Sequence, residues 1–399
     1  MGSIIFGNVC EEEKTMKRVL MVASVVSMIE SFNRDNIRML QEMGYQVDVA
    51  TNFEWGSMYS PEKIARIKQD LEANGVALYQ IDFERDIKKM NGHVRAYQQL
   101  KAVMTAKRYH FIHCHSPIGG VVGRLVARQT HTPCMYTAHG FHFFKGSPSL
   151  NWMLYYPVER TLARLTDTIV TINEEDFSRA QTFKTSHTFR IPGIGVDTKR
   201  IEAVTIDRPL KRRGLGIDSD TDFVLLSVGE LNENKNHETI IRAIASLHEP
   251  TLRYLIAGTG DNNDHLERLI RELGLERQVT LLGFRDDVIE VMKASDCFVF
   301  PSKREGLGMA ALEAMAAGLP LITSNVHGIN DYSIDGVTGY KCSPEDVAGF
   351  ARAIRTMQLD FDLSHQMGLH NSESVKAFDV DRSKTEMRRI YESFDRPIA

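Results

Sequence analysis

The sequence has few cysteines and no long hydrophobic run, and each shortage excludes a class of protein. Its five cysteines are spread over 399 residues, so neither a disulfide framework nor a paired zinc or redox motif is predicted, and we expect reduced thiols. No run reaches the roughly 18 to 20 apolar residues that a membrane-spanning helix needs, and the acidic segment 11–13 is unlike a signal peptide. We therefore expect a cytoplasmic protein.

The first residues are also poor in structural signal. Met16-Lys17-Arg18 leads directly into an apolar run that starts at Val19, which makes Met16 a plausible true beginning. We predict that residues 1–15 are a disordered extension without a function of their own.

Acidic residues are absent from one long stretch. Residues 87–158 contain nine Lys or Arg and no Asp or Glu, and residues 1–200 carry a net charge of +5 against −9 for the rest. This distribution predicts a face that meets something anionic, such as a membrane surface, although solvated helix faces would give the same composition. With an overall net charge of −4, no nucleic-acid partner is predicted.

Aromatic residues crowd around Lys145 within this stretch. The mixture is suited to an interface that is half apolar and half charged, although core packing explains some of the rings equally well. The aromatic residues are Phe141, Phe143, Phe144, Trp152, Tyr155 and Tyr156.

Short apolar segments alternate with amphipathic helical periodicity along most of the chain. This alternation predicts an α/β protein with parallel, doubly wound sheets. The predicted strands lie near 18–26, 46–50, 111–113, 134–137, 168–172, 223–228, 253–257, 279–282, 297–300 and 319–323.

The rhythm breaks at Ile191-Pro192-Gly193-Ile194-Gly195, a rigid and then flexible connector. We predict two Rossmann-like domains, 16–195 and 196–380, followed by a C-terminal helix in 381–399 that crosses back onto the first domain. Doubly wound sheets bind ligands at the carboxyl ends of their strands, so we expect a shared cleft between the domains.

The chemistry concentrates in 300–320, where a strand end, a glycine loop and an Ala-rich helix follow one another. Gly306 and Gly308 let backbone amides approach a ligand, and the helix N-terminus adds free N–H groups, which together suit a diphosphate. Glu305 and Glu313 flank the loop at a separation of roughly 12 Å at most. One carboxylate could hold a sugar and the other a ribose; a cap-region charge and a solvated face are the plainer reading.

The motif Pro-Ser-x-x-Glu-Gly-x-Gly-x-x-x-x-Glu-Ala-Met-Ala at 301–316 resembles that of retaining GT-B glycosyltransferases of family 4. Further matches are Gly229-Glu230-Leu231 with Lys235-Asn236, the segment 257–260 and the segment 137–140, in the right order over residues 17–395. The chain is similar to the bacterial branch that builds capsule and exopolysaccharide. The resemblance implies a GT-B fold with two Rossmann-like domains, the first binding the acceptor and the second a nucleotide-sugar.

The resemblance also implies roles for individual residues. Glu305 would contact the hydroxyls of the donor sugar, Lys235 would neutralise the diphosphate, and His139 would bond the 6-hydroxyl of the sugar. The position of His139 just after a strand would also allow it to orient the acceptor. Glu313 would hold the ribose. The remaining predicted donor-binding residues are Gly306, Leu307, Gly308, Met309, Glu230, Phe284 and Arg285.

One position departs from the family pattern. Many relatives have an arginine where this chain has Glu230, so a second cation for the leaving diphosphate is missing. Lys303 or Arg304 is a candidate replacement, unless Lys235 and the helix N-terminus suffice.

The resemblance implies transfer with retention from a nucleotide-sugar, with UDP-hexose or UDP-N-acetylhexosamine as the expected donor and a lipid-linked saccharide as the expected acceptor. The enzyme would act in the cytoplasm or peripherally on the inner face of the membrane. His113 and His115 have the spacing of metal ligands but no carboxylate nearby, and we predict that no metal takes part. A nucleotide-sugar epimerase of the same fold and a non-catalytic nucleotide-sugar-binding subunit are the alternatives.

Overall fold

The structure is a computed structural model that describes residues 17–394 with the exception of 58, 85, 87, 88, 218 and 220. The extension predicted at 1–15 lies outside the described residues. Within them the chain forms thirteen strands and sixteen α-helices, which alternate along most of the sequence.

The strands are short and mostly buried. They are β1 (Arg18–Val22), β2 (Gln46–Thr51), β3 (Ala77–Gln80), β4 (Phe111–His115), β5 (Cys134–Ala138), β6 (Thr168–Thr171), β7 (His187–Arg190), β8 (Phe223–Val228), β9 (Leu252–Ala257), β10 (Val279–Gly283), β11 (Cys297–Phe300), β12 (Leu321–Ser324) and β13 (Gly339–Cys342).

The helices connect the strands. They are α1 (Val26–Phe32), α2 (Arg34–Glu42), α3 (Pro61–Ala73), α4 (Met90–Ala106), α5 (Pro117–Thr130), α6 (Ser149–Leu162), α7 (Glu174–Ala180), α8 (Thr198–Ala203), α9 (Arg208–Gly214), α10 (His237–Leu247), α11 (Asn263–Glu272), α12 (Val288–Ala294), α13 (Met309–Ala316), α14 (Val347–Leu359), α15 (Phe361–Ser374) and α16 (Val380–Phe394). Short 3₁₀ helices occur at Ala163–Leu165, His327–Asp331 and Val375–Phe378.

The strands form two parallel sheets, which confirms the predicted fold of two Rossmann-like domains. The first has seven strands in the order β3-β2-β1-β4-β5-β6-β7, and the second has six in the order β10-β9-β8-β11-β12-β13. Parallel register places Val19 opposite Phe111 in the first sheet and Phe223 opposite Leu252 in the second. In both sheets the chain starts near the centre and reverses direction of winding, the arrangement that brings strand ends together at a switch point.

The chain divides into two compact units between Tyr136 and Thr137, inside β5. The second unit therefore holds the end of the first sheet together with the whole second sheet. The bounds predicted from the 191–195 connector concern a different division, and they stay a prediction. The described part of the chain includes no helix with the length and apolar character required to cross a bilayer.

The second sheet has a continuous apolar core. Leu225, Ile240, Tyr254 and Phe350, from β8, α10, β9 and α14, are fully buried in one cluster. The hydroxyl of Tyr254 lies 2.8 Å from the Ser227 hydroxyl, so the one polar atom of that ring is satisfied inside the core. This packed layer supports the loops that follow β8, β10 and β11.

Candidate functional site

The loop 301–308, which we call the glycine loop, joins β11 to α13. Gly308 is the N-cap of the helix and has φ of 87°, a left-handed conformation that L side chains rarely adopt. A Cβ on this residue would lie 2.6 Å from Cε1 of Phe300. Glycine is therefore required here by conformation and by space, and the first amides of α13 stay open at the carboxyl end of the strand.

Gly306 is enclosed by two other backbone segments. A Cβ on Gly306 would lie 2.1 Å from the carbonyl oxygen of His139, and a Cβ on Gly328 would lie 1.9 Å from the carbonyl oxygen of Gly306. Three loops from different parts of the second unit thus meet backbone to backbone. We predicted that glycine admits a ligand at this position; the structure adds that glycine admits the chain's own main chain.

Lys235 and Glu305 form an ion pair. Nζ of Lys235 lies 2.5 Å from Oε1 of Glu305, and the same ammonium lies 4.9 Å from the centre of the Phe300 ring. The backbone N–H of Lys235 donates to Oδ1 of Asn232 at 3.0 Å, which fixes the start of the side chain. Two residues predicted from separate motifs are therefore side by side, each neutralising the other.

Glu313 lies one turn into α13 and is half-buried. Burial raises the pKa of its carboxyl group, while the positive charge of Arg200 lowers it. A partly desolvated carboxylate that favours protonation is suited to hydrogen bonds with hydroxyl groups. Leu307 is buried, so only its main chain is available to a ligand, and Met309 is half-buried at the first position of the helix.

Glu230 lies in the loop after β8. Its Oε2 accepts a hydrogen bond of 2.9 Å from the side-chain amide of Asn232, the residue that also holds the backbone of Lys235. The carboxylate is thus part of the loop that positions the lysine, and it supplies no positive charge.

Arg304 is the cation nearest in sequence to Glu305, and it is half-buried. Burial lowers the pKa of its guanidinium, while the charge of Glu305 raises it. Within the described residues this guanidinium has neither an ion pair nor a hydrogen bond. Lys303, by contrast, is exposed and lines a cavity that does not include Arg304.

His139 follows β5 and is half-buried beside the glycine loop. Burial lowers the pKa of its imidazole to about 4. His142 has a pKa lowered to about 4 as well, first by burial and then by the positive charge of Arg304 and the proximity of His327. Both rings are therefore neutral near pH 7 and can donate or accept hydrogen bonds.

Two buried residues that the sequence analysis missed, Asn173 and Asp176, hold this arrangement together with His327. The Asn173 side-chain amide donates to the carbonyl of Gly306 at 2.8 Å and to Asp176 at 2.9 Å. The other oxygen of Asp176 lies 2.9 Å from Nε2 of His327. Asn173 is also the N-cap of α7, with Asp176 three residues later; this spacing is the available signal in the sequence.

The aromatic residues around Lys145 belong largely to the interior. Phe141, Phe143 and Phe144 are buried; Phe141 stacks on Phe143 at 4.8 Å, and Phe144 stacks on His327 at 4.6 Å. The hypothesis that these three rings form an interface is therefore wrong, because all three rings are buried in the interior of the second unit. Trp152, Tyr155 and Tyr156 are half-buried.

Phe284 and Arg285 lie in the loop 284–287, which we call the β10 loop. Phe284 is 71% exposed. Arg285 forms two hydrogen bonds to Asp287, at 2.7 and 2.5 Å. Among the described residues no hydrogen bond or ion pair joins these two side chains to the group around Glu305, so their role in donor binding stays a prediction.

A large cavity of about 1160 Å³ lies in the second unit. It is lined by residues 144–148, by Lys303 and by residues of the loops after β12 and β13, including Asn325 and Ser343. Neither Glu305 nor Lys235 lines it. The candidate group around Glu305 and Lys235 is therefore identified by its chemistry and not by the size of a cavity.

The described residues include no group of three or more His, Cys, Asp or Glu arranged to hold an ion. Asp-x-Asp triplets of the type that holds a metal in the other major glycosyltransferase fold occur in the sequence at 218–220, 220–222, 360–362 and 379–381. Asp360 caps α15 by accepting from the N–H of Leu363, and Asp379 accepts from the hydroxyl of Thr198. The triplets at 360–362 and 379–381 thus contribute to helix ends.

Two family models match the chain. The model described as glycosyl transferases group 1 matches residues 207–372, and the model described as glycosyl transferase 4-like domain matches residues 29–183. The two matches fall on the second and the first sheet.

Relatives and solved structures agree with these matches. The glycosyltransferase EpsD of Bacillus subtilis (strain 168) is 36% identical over 386 residues, which cover 95% of this chain and 97% of EpsD. The UDP-Gal:alpha-D-GlcNAc-diphosphoundecaprenol alpha-1,3-galactosyltransferase of Escherichia coli is 28% identical over 313 residues, 76% of this chain and 80% of the relative. Anabaena Alr3699/HepE in complex with UDP-glucose superposes with a TM-score of 0.75 at 19% identity, covering 95% of this chain and 100% of that one, which is a likeness of fold.

Proposed function

The chain belongs to the GT-B glycosyltransferases of the family 4 type, and we propose that it transfers a hexose or N-acetylhexosamine from a UDP-sugar, with retention, to a lipid-linked saccharide. The reaction would serve the assembly of an exopolysaccharide or capsule. The enzyme would work in the cytoplasm, peripherally on the inner face of the membrane.

The observation that carries this proposal is the Lys235–Glu305 pair beside Gly306. A nucleotide-sugar offers each member a new partner, because its hydroxyls can donate to the carboxylate and its diphosphate can accept from the ammonium. The first amides of α13, after Gly308, supply further donors for the phosphate oxygens. One ligand thus satisfies both charges at once.

Arg304 supplies the second cation in this proposal. The leaving diphosphate gains negative charge as the bond to the sugar breaks, and a guanidinium with no other partner can bind two phosphate oxygens. It would take the place of the arginine that relatives have where this chain has Glu230. Arg304 and Lys235 then meet the diphosphate together.

The chemical step follows from these contacts. The bond between the anomeric carbon and the phosphate oxygen breaks, and its electron pair stays on the diphosphate. The acceptor hydroxyl bonds to the anomeric carbon from the same face, and its proton passes to the departing phosphate oxygen. Neutral His139 would orient a sugar hydroxyl, and electrostatic stabilisation by Lys235, Arg304 and the helix amides would lower the barrier without a metal.

The names of relatives support the donor and acceptor classes. The E. coli relative is named for UDP-Gal and for a saccharide on diphosphoundecaprenol, and the Anabaena protein was solved with UDP-glucose. The acid-free stretch 87–158 agrees with an acceptor or surface that carries phosphate.

The test is turnover of a panel of UDP- and other nucleotide-sugars by wild type and by Glu305→Gln, assayed by release of the nucleoside diphosphate with and without an undecaprenyl-diphosphate-linked sugar. We expect Glu305→Gln to lower kcat/KM by at least about 100-fold, the usual scale for losing a preorganised electrostatic contact. A matched control is Glu290→Gln, since Glu290 also lies 2.5 Å from a lysine, Lys211, and should leave turnover unchanged.

Other outcomes would overturn the proposal. Equal turnover by wild type and Glu305→Gln would remove the carboxylate from the mechanism. Conversion of the donor into its free epimer, without transfer, would identify an epimerase. If wild type binds a nucleotide-sugar tightly but turns it over with none of the acceptors, the chain is a binding subunit.

A further inference from the structure

Helix α6 exposes an apolar face although its opposite face is already packed. On the packed side, Trp152 and Tyr156 contact the buried ring of Phe143, with ring centres 5.6 and 5.4 Å apart. On the other side, Leu150, Met153, Leu154 and Val158 are exposed, Met153 to 73%. A surface helix normally has polar residues on that side.

The exposed residues form one stripe. Positions 150, 153, 154 and 158 follow the spacing i, i+3, i+4 and i+8, which places them on a single face of a helix with 3.6 residues per turn. Pro157 is exposed on the same face. The one acidic residue of the helix, Glu159, is buried, so the stripe carries no negative charge.

Cations border this stripe. Lys145 precedes the helix, Arg160 lies on its last turn, and Arg164 follows it; all three are exposed. Within the described residues none of their side chains forms an ion pair. An apolar stripe bordered by free cations has the chemistry of a helix that lies in the interface of an anionic bilayer.

A second exposed apolar group in the same unit has the opposite charge around it. Leu359, at the end of α14, is 74% exposed, and Phe361 and Leu369 on α15 are exposed as well. Their exposed neighbours Asp360 and Asp362 would be repelled by anionic lipid. The two surfaces, on α6 and on α14–α15, both expose apolar side chains but differ in the sign of the charges around them.

Helix α6 also reaches the candidate site. Tyr155, on its packed side, lies against His142 with ring centres 4.7 Å apart, and His142 is two residues past Gly140, which touches Gly306. The same helix thus connects the apolar stripe to the loop that encloses the glycine loop.

We propose that the outward face of α6 docks the chain peripherally on an anionic lipid bilayer, with Met153 and Leu154 inserted among the acyl chains and Arg160 and Arg164 on the lipid phosphates. The inference deepens the proposed function, because a lipid-linked acceptor is presented at such a surface. It specifies which part of the acid-free stretch contacts the membrane.

The test is flotation of the full chain with vesicles of phosphatidylcholine alone and of phosphatidylcholine with phosphatidylglycerol. We expect wild type to bind the anionic vesicles, and Met153→Gln/Leu154→Gln to bind at least about tenfold more weakly, since interfacial affinity scales with inserted apolar area and with charge. The matched control Leu359→Gln/Leu369→Gln removes similar exposed apolar side chains and should bind like wild type.

Charge and insertion are tested separately. Arg160→Gln/Arg164→Gln should weaken binding to anionic vesicles only, and its remaining affinity should be less sensitive to salt. These substitutions are on the surface, so thermal unfolding should be unchanged. Wild-type affinity in both α6 variants would overturn the proposal. A concentration-dependent dimer that the α6 variants abolish, without vesicle binding by wild type, would also overturn it and assign the stripe to a second copy of the chain.

The proposed function can fail independently. Nucleotide release from the donor with a short-chain, water-soluble acceptor should be the same in wild type and the α6 variants. If wild type floats with vesicles but turns over no donor, the enzymatic proposal fails and the docking surface stands. If all variants turn over donor but wild type does not float, the docking surface fails and the enzyme stands.

Discussion

The glycine loop and the β10 loop follow parallel strands of one sheet, and both carry residues predicted to bind the donor, yet they are built differently. In the glycine loop three backbone segments meet at Gly306, and Asn173 holds its carbonyl. In the β10 loop Phe284 is exposed, and Arg285 is bound to its near neighbour Asp287. A position at the carboxyl end of a strand places a residue at the edge of the sheet where ligands bind, whereas packing determines how firmly the residue is held there.

The largest difference is expected between a glycine substitution in the glycine loop and one just before the β10 loop. Gly306→Ala would place a Cβ 2.1 Å from the His139 carbonyl oxygen, whereas Gly283→Ala, just before the β10 loop, meets nothing within 4 Å and strains only φ. We expect Gly306→Ala to lower kcat/KM by about 100-fold or more, equivalent to about 2.7 kcal/mol, and Gly283→Ala to cost about 1 kcal/mol of stability. Donor-turnover kinetics and thermal unfolding of both variants test this; similar turnover in the two would erase the difference between the loops.

The next effect concerns the side chain that holds Gly306. Asn173→Ser keeps an oxygen that can cap α7 but has no amide to donate to Gly306 and Asp176, whereas Asn173→Ala loses the cap as well. We expect Asn173→Ser to lower kcat/KM about tenfold and to lose about 1 to 3 kcal/mol of stability, and Asn173→Ala to lose about 1 kcal/mol more. Kinetics combined with denaturant unfolding separate the two contributions. Full activity in Asn173→Ser would mean that backbone packing alone positions the loop.

The pH dependence of stability distinguishes the loops further, because His139 and His142 border the glycine loop. Their folded pKa values, lowered to about 4 from an ordinary 6.5, mean that the unfolded chain binds more protons between pH 4 and 6.5. Stability should therefore rise with pH through this window and be lost as pH falls toward 4. Denaturant unfolding of wild type and His139→Gln at pH 7, 6, 5 and 4.5 should show a shallower loss in the variant; parallel curves would contradict it.

The smallest effect is expected in the β10 loop. Phe284→Ala removes an exposed ring, and even if that ring stacks on the donor base, an exposed contact is worth about 1 kcal/mol or less. We expect KM for the donor to rise by no more than about fivefold, equally for uridine and other bases, since every base has a ring face. KM values for two nucleotide-sugars measure this. A tenfold or larger rise would show that the β10 loop becomes ordered on the ligand and would break the comparison.

The fold was largely predictable because its central strands are continuous apolar segments. The predictions near 46–50, 223–228 and 297–300 correspond to β2, β8 and β11. The three strands that were missed, β3, β7 and β13, lie at the edges of the two sheets. The residues of these three strands are mostly half-buried or exposed, as in His187–Arg190 with two exposed and two half-buried residues, so no apolar pattern identifies these three.

The site was predictable only in its local parts. The Glu305–Glu313 spacing and the glycines are consecutive in sequence, so their chemistry could be inferred from one segment. The partners of that segment are distant: Asn173 is 133 residues from Gly306, and Asp176 is 151 residues from His327. Nothing in the residue types indicates such pairings, because an asparagine that caps a helix has the same local sequence whether or not it also reaches another loop.

Under the proposed function, the ion pair between Lys235 and Glu305 favours a ligand that engages both side chains at once. A free hexose could bind the carboxylate but would leave the ammonium without a partner. A free diphosphate could bind the ammonium but would leave the carboxylate without a partner. Each fragment would therefore have to separate two charges that satisfy each other, whereas the proposed nucleotide-sugar donor would replace both partners together. After the proposed transfer the nucleoside diphosphate would contact only Lys235, and re-formation of the 2.5 Å contact between Lys235 and Glu305 would favour its release.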